Sequence, residues 1–232
     1  TWRLIVLPEQ NGKIVEMLHK PSGRHLLMPP DFQSARHLFE YLTLQEMGEK
    51  GMDSNQPEAF IAKKEEEGLI LSKSLSDGSL FERRIQLTPE KIQFVSRLVH
   101  QGTAAVEYQF RIHPEVYTGS FTQDSRVVGS YIKSDRWNQF NQDWKEGKGP
   151  NQDLLANFQG GGFALFNHDK QYGIVETFDP EKIEKVSFWW SDRYPMAHLD
   201  LYTKPVTLNP GDTFSYSYSL ECVTDLSTLD TK

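Results

Sequence analysis

Two short stretches of this chain carry side chains able to move protons. Phe110-Arg111-Ile112-His113-Pro114-Glu115 sets a guanidinium and an imidazole two residues apart at the end of an alternating run. Residues two apart on a strand project from one face, so Arg111 and His113 share the face opposite Phe110 and Ile112. The second stretch, His198-Leu199-Asp200-Leu201-Tyr202, places an imidazole, a carboxylate and a phenol on one face in the same way. A histidine and a carboxylate are the usual partners of general acid and general base chemistry. Quieter roles suit them too: His113 as a structural histidine, Asp200 as a hydroxyl acceptor or structural carboxylate. Metal binding by His198 and Asp200 needs one or two further ligands, and no third partner stands at a recognisable spacing.

The densest aromatic patch is Phe188-Trp189-Trp190-Ser191-Asp192-Arg193-Tyr194. Neighbouring strand residues face opposite ways, so one of Trp189 and Trp190 belongs to a core and the other to the surface. An exposed indole stacks on the C–H face of a pyranose, with Arg193 and Asp192 placed to bond its hydroxyls. The alternative is that both indoles pack under covering loops. Trp137 and Trp144, set among Asn138, Asn141 and Gln142, have an aromatic-plus-amide composition that suits a sugar, an interdomain contact or a simple surface loop.

Other catalytic templates fail. There is no Gly-x-Ser-x-Gly elbow and no His-Glu-x-x-His. Gly160-Gly161-Gly162 leads into a strand with no Gly-Lys-Ser/Thr after it, so it is not a phosphate loop. A net charge of −7 and a pI near 5.5 argue against a partner with a phosphate backbone. No apolar run approaches the ~20 residues of a membrane helix. Cys222 is the only cysteine, so no intrachain disulfide forms, and it reads as a small buried hydrophobe. The chain begins Thr1-Trp2, which favours a module cut from a longer protein.

The elements that must position these residues are strands. An Asp77-Gly78 signal joins Gly68–Leu75 to Leu80–Leu87, and Pro210-Gly211-Asp212 separates two alternating runs near the end. Ile92–Gln101, Ala105–His113, Arg126–Ile132, Phe163–Asn167, Tyr172–Phe178 and Val186–Trp190 add further strands, around twelve to fifteen in all, mostly antiparallel. Asp31 to Asn55 is the one convincing helical stretch, capped by Ser34 and bearing Leu38, Tyr41, Leu42 and Gln45. Residues 134–149 read as a polar loop. No boundary appears near the middle, so residues 1–232 are expected to form one large all-β domain with one short helical excursion.

Four pieces carry a family likeness: the opening Ser22-Gly23-Arg24-His25-Leu26-Leu27, the Asp77-Gly78 hairpin, the His113-Pro114 strand end and the closing Pro210-Gly211-Asp212. Together they resemble the galactose mutarotase-like, or aldose 1-epimerase-like, β-supersandwich. The resemblance implies sugar-ring chemistry, with His113 as acid and Asp200 as base, and His198, Tyr202, Trp189, Trp190, Arg193 and Arg111 as substrate-binding groups. Two departures stand out. The Asn-His-x-Tyr-Phe-Asn pattern of true aldose epimerases is absent around His113, and Asp200 replaces the family's glutamate. Its carboxylate reaches roughly 1.3–1.5 Å less far, and a misplacement of that size costs on the order of a hundredfold in rate. Supersandwich domains attached to bacterial glycoside hydrolases show such losses. The leading expectation is therefore an accessory, carbohydrate-associated domain linked to a catalytic domain, secreted or periplasmic, holding a mono- or oligosaccharide. The alternatives are a free-standing epimerase-like isomerase and a purely structural interdomain module. No nucleic acid, membrane or cofactor is expected. Relatives in polysaccharide-degrading enzymes use calcium, but no calcium site can be placed in this sequence.

Overall fold

The computed structural model describes residues 1–27, 44–50, 59–117, 126–133, 136–143, 151–153, 161–167, 171–190, 197–225 and 227, and the statements below concern these. They form β1 (Trp2–Leu7), β2 (Lys13–His19), β3 (Arg24–His25), β4 (Leu44–Lys50), β5 (Ile61–Glu65), β6 (Gly68–Ser74), β7 (Leu80–Leu87), β8 (Lys91–Val99) and β9 (Val106–Val116). Then follow β10 (Arg126–Lys133), β11 (Arg136–Asp143), β12 (Asn151–Asp153), β13 (Gly162–Asn167), β14 (Tyr172–Phe178), β15 (Ile183–Trp190), β16 (Ala197–Thr203), β17 (Val206–Leu208) and β18 (Thr213–Val223). Two nine-stranded sheets result. One runs β1-β2-β4-β9-β16-β15-β12 with β3 and β17 alongside; the other runs β11-β10-β13-β14-β18-β8-β7-β6-β5. Every pairing is antiparallel.

Alternation decides which faces meet. On β8 the buried row is Ile92, Phe94, Ser96 and Leu98; on β18 it is Phe214, Tyr216, Tyr218 and Leu220. Register sets small Ser96 opposite bulky Tyr216, and Phe94 opposite Tyr218, whose rings stack 4.6 Å apart. Phe110 of β9 crosses to the other sheet, meeting Phe81 at 5.7 Å, Phe214 at 6.0 Å and Tyr216 at 5.1 Å between ring centroids. One apolar cluster thus takes side chains from both sheets, the arrangement of a layered sandwich. Gly78 and Gly211, at φ of +84° and +92°, occupy backbone positions that disfavour a side chain, which is why both predicted turns hold glycine.

Several expectations need correction. Leu44–Lys50 is strand β4 rather than the end of a helix, because it pairs with β9 along its length. The rest of the proposed helical stretch lies outside the described residues, and among those described there is no α-helix. Arg136–Asp143, read as a polar loop, is strand β11, paired residue by residue with β10. β9 does not end at His113 but continues to Val116. The strands number eighteen rather than twelve to fifteen.

Glu176 breaks the pattern of the core. It alternates on β14 with the core residues Ile174 and Phe178, is fully buried, and neither carboxyl oxygen has a hydrogen-bond partner. Burial, reinforced by the charge of Asp200, pushes its pKa well above the ordinary carboxylate value, so the side chain is a neutral acid in the fold. Below about 4.5 both folded and unfolded states keep this proton; above it only the folded state does, so stability falls as pH rises. Glu176→Met is expected to stabilise the protein at pH 7 by about 1–3 kcal/mol, since it removes an unsatisfied buried group. The gain should shrink toward pH 4 in urea unfolding curves.

Candidate active site

β9 lies between β4 and β16, and its alternation separates core from site. Phe110 and Ile112 enter the core at 0% exposure; Arg111, His113 and Glu115 alternate onto the other face. On β16, Leu201 is core and Asp200 and Tyr202 take the opposite side. The β9–β16 ladder pairs Val116 with Ala197 and Glu115 with His198, then Ile112 with Leu201 and Arg111 with Tyr202. That constant offset sets Asp200 opposite His113. Pro114, which has no N–H to give, sits within the interval.

The two residues singled out by resemblance therefore touch. His113 Nδ1 is 2.6 Å from Asp200 Oδ1. Arg111 donates to the other oxygen, Oδ2, from Nη2 at 2.6 Å and from Nε at 3.1 Å. Arg111 Nη2 also lies 3.3 Å from His113 Nδ1, a contact between donors that is tolerable because one carboxylate lies against both. Burial opposes a charged His113, but the hydrogen bonds and negative charges of Asp200 and Glu115 outweigh it and lift the ring to about 9. Burial likewise opposes a charged Asp200, yet His113 and Arg111 hold it below the usual carboxylate value. At neutral pH the pair is thus an imidazolium and a carboxylate. His113 is a ring at 8% exposure inside a charged cluster, with β9 continuing past it to Val116.

Glu115 is the member that the sequence reading passed over. It is 1% exposed, and its Oε1 lies 3.4 Å from His113 Nε2. Reading Pro114 as the end of the strand hid it; its signal was the two-residue spacing Arg111, His113, Glu115. Tyr202 carries Arg111 Cζ at 5.5 Å and Lys185 Nζ at 5.2 Å from its ring centroid, a cation–π platform beside the cluster. The backbones of Trp189 and His198 pair between β15 and β16. The side chains of Trp189, Trp190 and His198, and all of Arg193, lie outside the described residues. Among the described residues no group of three metal-ligating side chains is arranged to hold an ion.

A second polar cluster has the composition of a hydrolytic triad and a different purpose. Ser79 Oγ lies 2.8 Å from His100 Nδ1, Tyr108 donates to Asp77, and His100 Nε2 donates to the Ala104 carbonyl at 2.7 Å. Ser79 and His100 are at 0% exposure, so no substrate reaches the hydroxyl. The cluster ties the β7 turn to the start of β9.

The ion pairs bear on stability as well as chemistry. The contribution of His113 is full below about 6.5 and is lost as pH rises through about 9; that of Asp200 is full above 3.8 and is lost as pH falls. Asp200→Asn leaves two cations facing no charge from β16 and should destabilise the fold by about 3–5 kcal/mol at pH 7. Chemical denaturation of both proteins between pH 3 and 10 tests this: the gap should shrink toward the acid end as Asp200 takes up its proton, and should narrow without closing above about 9, where His113 loses its charge but Arg111 keeps its own.

No family model matches the chain, and no curated protein matches it in sequence. Solved structures do. A protein from Synechocystis sp. PCC 6803 aligns with a TM-score of 0.71 at 12% identity, covering 97% of this chain and 92% of that one. A galactose mutarotase-like protein from Lactobacillus casei ATCC 334 aligns at 0.70 and 8% identity, covering 95% and 97%. Another from Clostridium acetobutylicum aligns at 0.67 and 11%, covering 97% and 93%. Identity this low speaks to architecture alone, and the architecture is clear: this chain has the galactose mutarotase-like fold.

Proposed function

We propose that this protein acts on the cyclic hemiacetal of an aldose, with His113 as general acid and Asp200 as general base. The observation that carries this reading is the 2.6 Å contact between His113 Nδ1 and Asp200 Oδ1, made by adjacent strands and ready in opposite protonation states. Ring opening needs both actions on one carbon. Asp200 Oδ1 takes the proton of the anomeric hydroxyl while His113 Nδ1–H gives its proton to the ring oxygen, and the bond from the anomeric carbon to that oxygen breaks. Rotation of the aldehyde and return of both protons close the ring as the other anomer. An entering sugar exchanges the direct His113–Asp200 bond for one bond to each oxygen, while Arg111 keeps the far carboxylate oxygen in place. Fixed geometry of this kind supplies much of the rate.

A second reading keeps the sugar and drops the turnover. Asp200 already accepts from Arg111 and His113, and both hold its pKa down, which weakens it as a base. In that reading the chain is a carbohydrate-associated domain of a larger glycan-processing enzyme.

Polarimetry on freshly dissolved glucose and galactose separates the two. The epimerase reading expects wild-type protein to hasten the approach to equilibrium, and Asp200→Ala to lose that effect by about a hundredfold or more. Wild-type rates no faster than the buffer alone would end it. Saturable quenching of Trp fluorescence by the same sugars would then favour the binding domain.

A further inference from the structure

Two carboxylates, on opposite edges of one imidazole, divide the work at this site. We propose that Glu115 is its positioning residue, anchoring the Nε2 edge of His113 so that Nδ1 faces Asp200 and carries the transferable proton. This rests on the epimerase reading for its meaning, though not for its geometry.

The placement follows from β9 itself. Arg111, His113 and Glu115 are successive residues of one strand face, and the face is held in register by β4 and β16. Glu115 Oε1 stands 3.4 Å from Nε2, and Asp200 Oδ1 stands 2.6 Å from Nδ1. A half-turn of the ring about its Cβ–Cγ bond would point carbon atoms at both carboxylates, so the Asp200 hydrogen bond and the Glu115 ion pair favour one orientation. They also hold a charge: both nitrogens carry hydrogens only in the imidazolium. Among the described residues, two strands bring charged side chains to the ring. Arg111 and Glu115 come from β9 and Asp200 from β16, while β4 sets uncharged Gln45 at the backbone position opposite His113. His198 is the backbone partner of Glu115. Glu176, in the opposite sheet, feels the charge of Asp200 but stays neutral.

Asp200 cannot do this anchoring, because the reaction needs its Oδ1 to leave His113 for the sugar hydroxyl. At that moment Glu115 is the carboxylate that still holds the ring. It acts through His113 and touches neither sugar oxygen. When the proton leaves Nδ1, the neutral ring keeps its hydrogen on Nε2, facing Glu115, and that tautomer leaves Nδ1 free to take the proton back when the ring closes.

The test is an NMR pH titration of the His113 imidazole, assigned by its loss in His113→Gln, in wild type, Glu115→Gln and Glu115→Asp, with folding checked by thermal melting. Wild-type His113 should titrate near 9. Glu115→Gln should lower the midpoint by about one unit or more, and Glu115→Asp should restore most of it. The alkaline limb of the mutarotation profile should move with the midpoint. An unmoved midpoint in folded Glu115→Gln overturns the proposal, and so does a wild-type midpoint below 7, a measurement that needs no variant to fold. Absence of mutarotation in wild type, alongside a shifted midpoint in Glu115→Gln, defeats the enzyme reading and leaves the anchor standing. Mutarotation with an identical pH profile in Glu115→Gln does the reverse.

Discussion

A buried carboxylate shared by two cations ties β16 to β9. Asp200 accepts from Arg111 and from His113, and all three side chains hang from neighbouring positions of an antiparallel ladder. A charge taken out of water is tolerated only where partners and hydrogen bonds replace the water, so this trio stands or falls together. It also fixes register. Sliding β16 by one residue would turn Asp200 toward the apolar side and bring Leu199 or Leu201 against Arg111 and His113. The interaction that supplies a proton donor and acceptor is therefore the same one that penalises misalignment.

The core obeys the other half of that alternation. Phe110 cannot reach Phe81, Phe214 and Tyr216, nor Ile112 enter the core beside it, unless Arg111, His113 and Glu115 face away. Packing of the two sheets thus aims the charged face. At the start of β9, Tyr108 bonds Asp77 and lies 3.1 Å from both Ser79 and His100, which pins the strand to the β7 turn before the charged face begins. Gly102 belongs to this corner as well, since a Cβ there would come within 2.7 Å of His100 Cε1. Glu176 shares the core side of β14 with Ile174 and Phe178, kept neutral by its surroundings.

Local signals were readable where turn chemistry or alternation is strong. Asp77-Gly78 and Pro210-Gly211-Asp212 mark real turns, and the terminal run from Thr213 alternates as its residue types demand. Legibility fails where a long-range partner decides. Leu44-Gln45-Glu46-Met47 consists of good helix formers, yet pairing with β9 draws it into a strand, because strand preference depends on neighbours more than on the residue itself. Arg136–Asp143 lacks apolar alternation and is held by β10. Proline at 114 argued for a strand end, and the ladder simply continues past it to Glu115 and Val116. The contact between His113 and Asp200 spans 87 positions, so spacing alone gives no hint of it; only the family resemblance put the two side by side.

The shorter reach of Asp200 looks different once its neighbours are known. A carboxylate one methylene short of glutamate should stand back from a sugar, but here the strand offset brings it directly onto His113 at 2.6 Å. What the side chain lacks in length therefore does not separate acid from base. For the proposed epimerase reading the difficulty moves elsewhere, to the His113–Asp200 bond that must open before a sugar enters. Because Arg111 binds Oδ2 and His113 binds Oδ1, opening releases one oxygen and leaves the other held, so the carboxylate is not stranded without partners. His113 is in the matching position, losing Asp200 on one edge while Glu115 stays on the other. Each member of the pair keeps one anchor when their mutual bond breaks, which confines the disturbance to a single hydrogen bond.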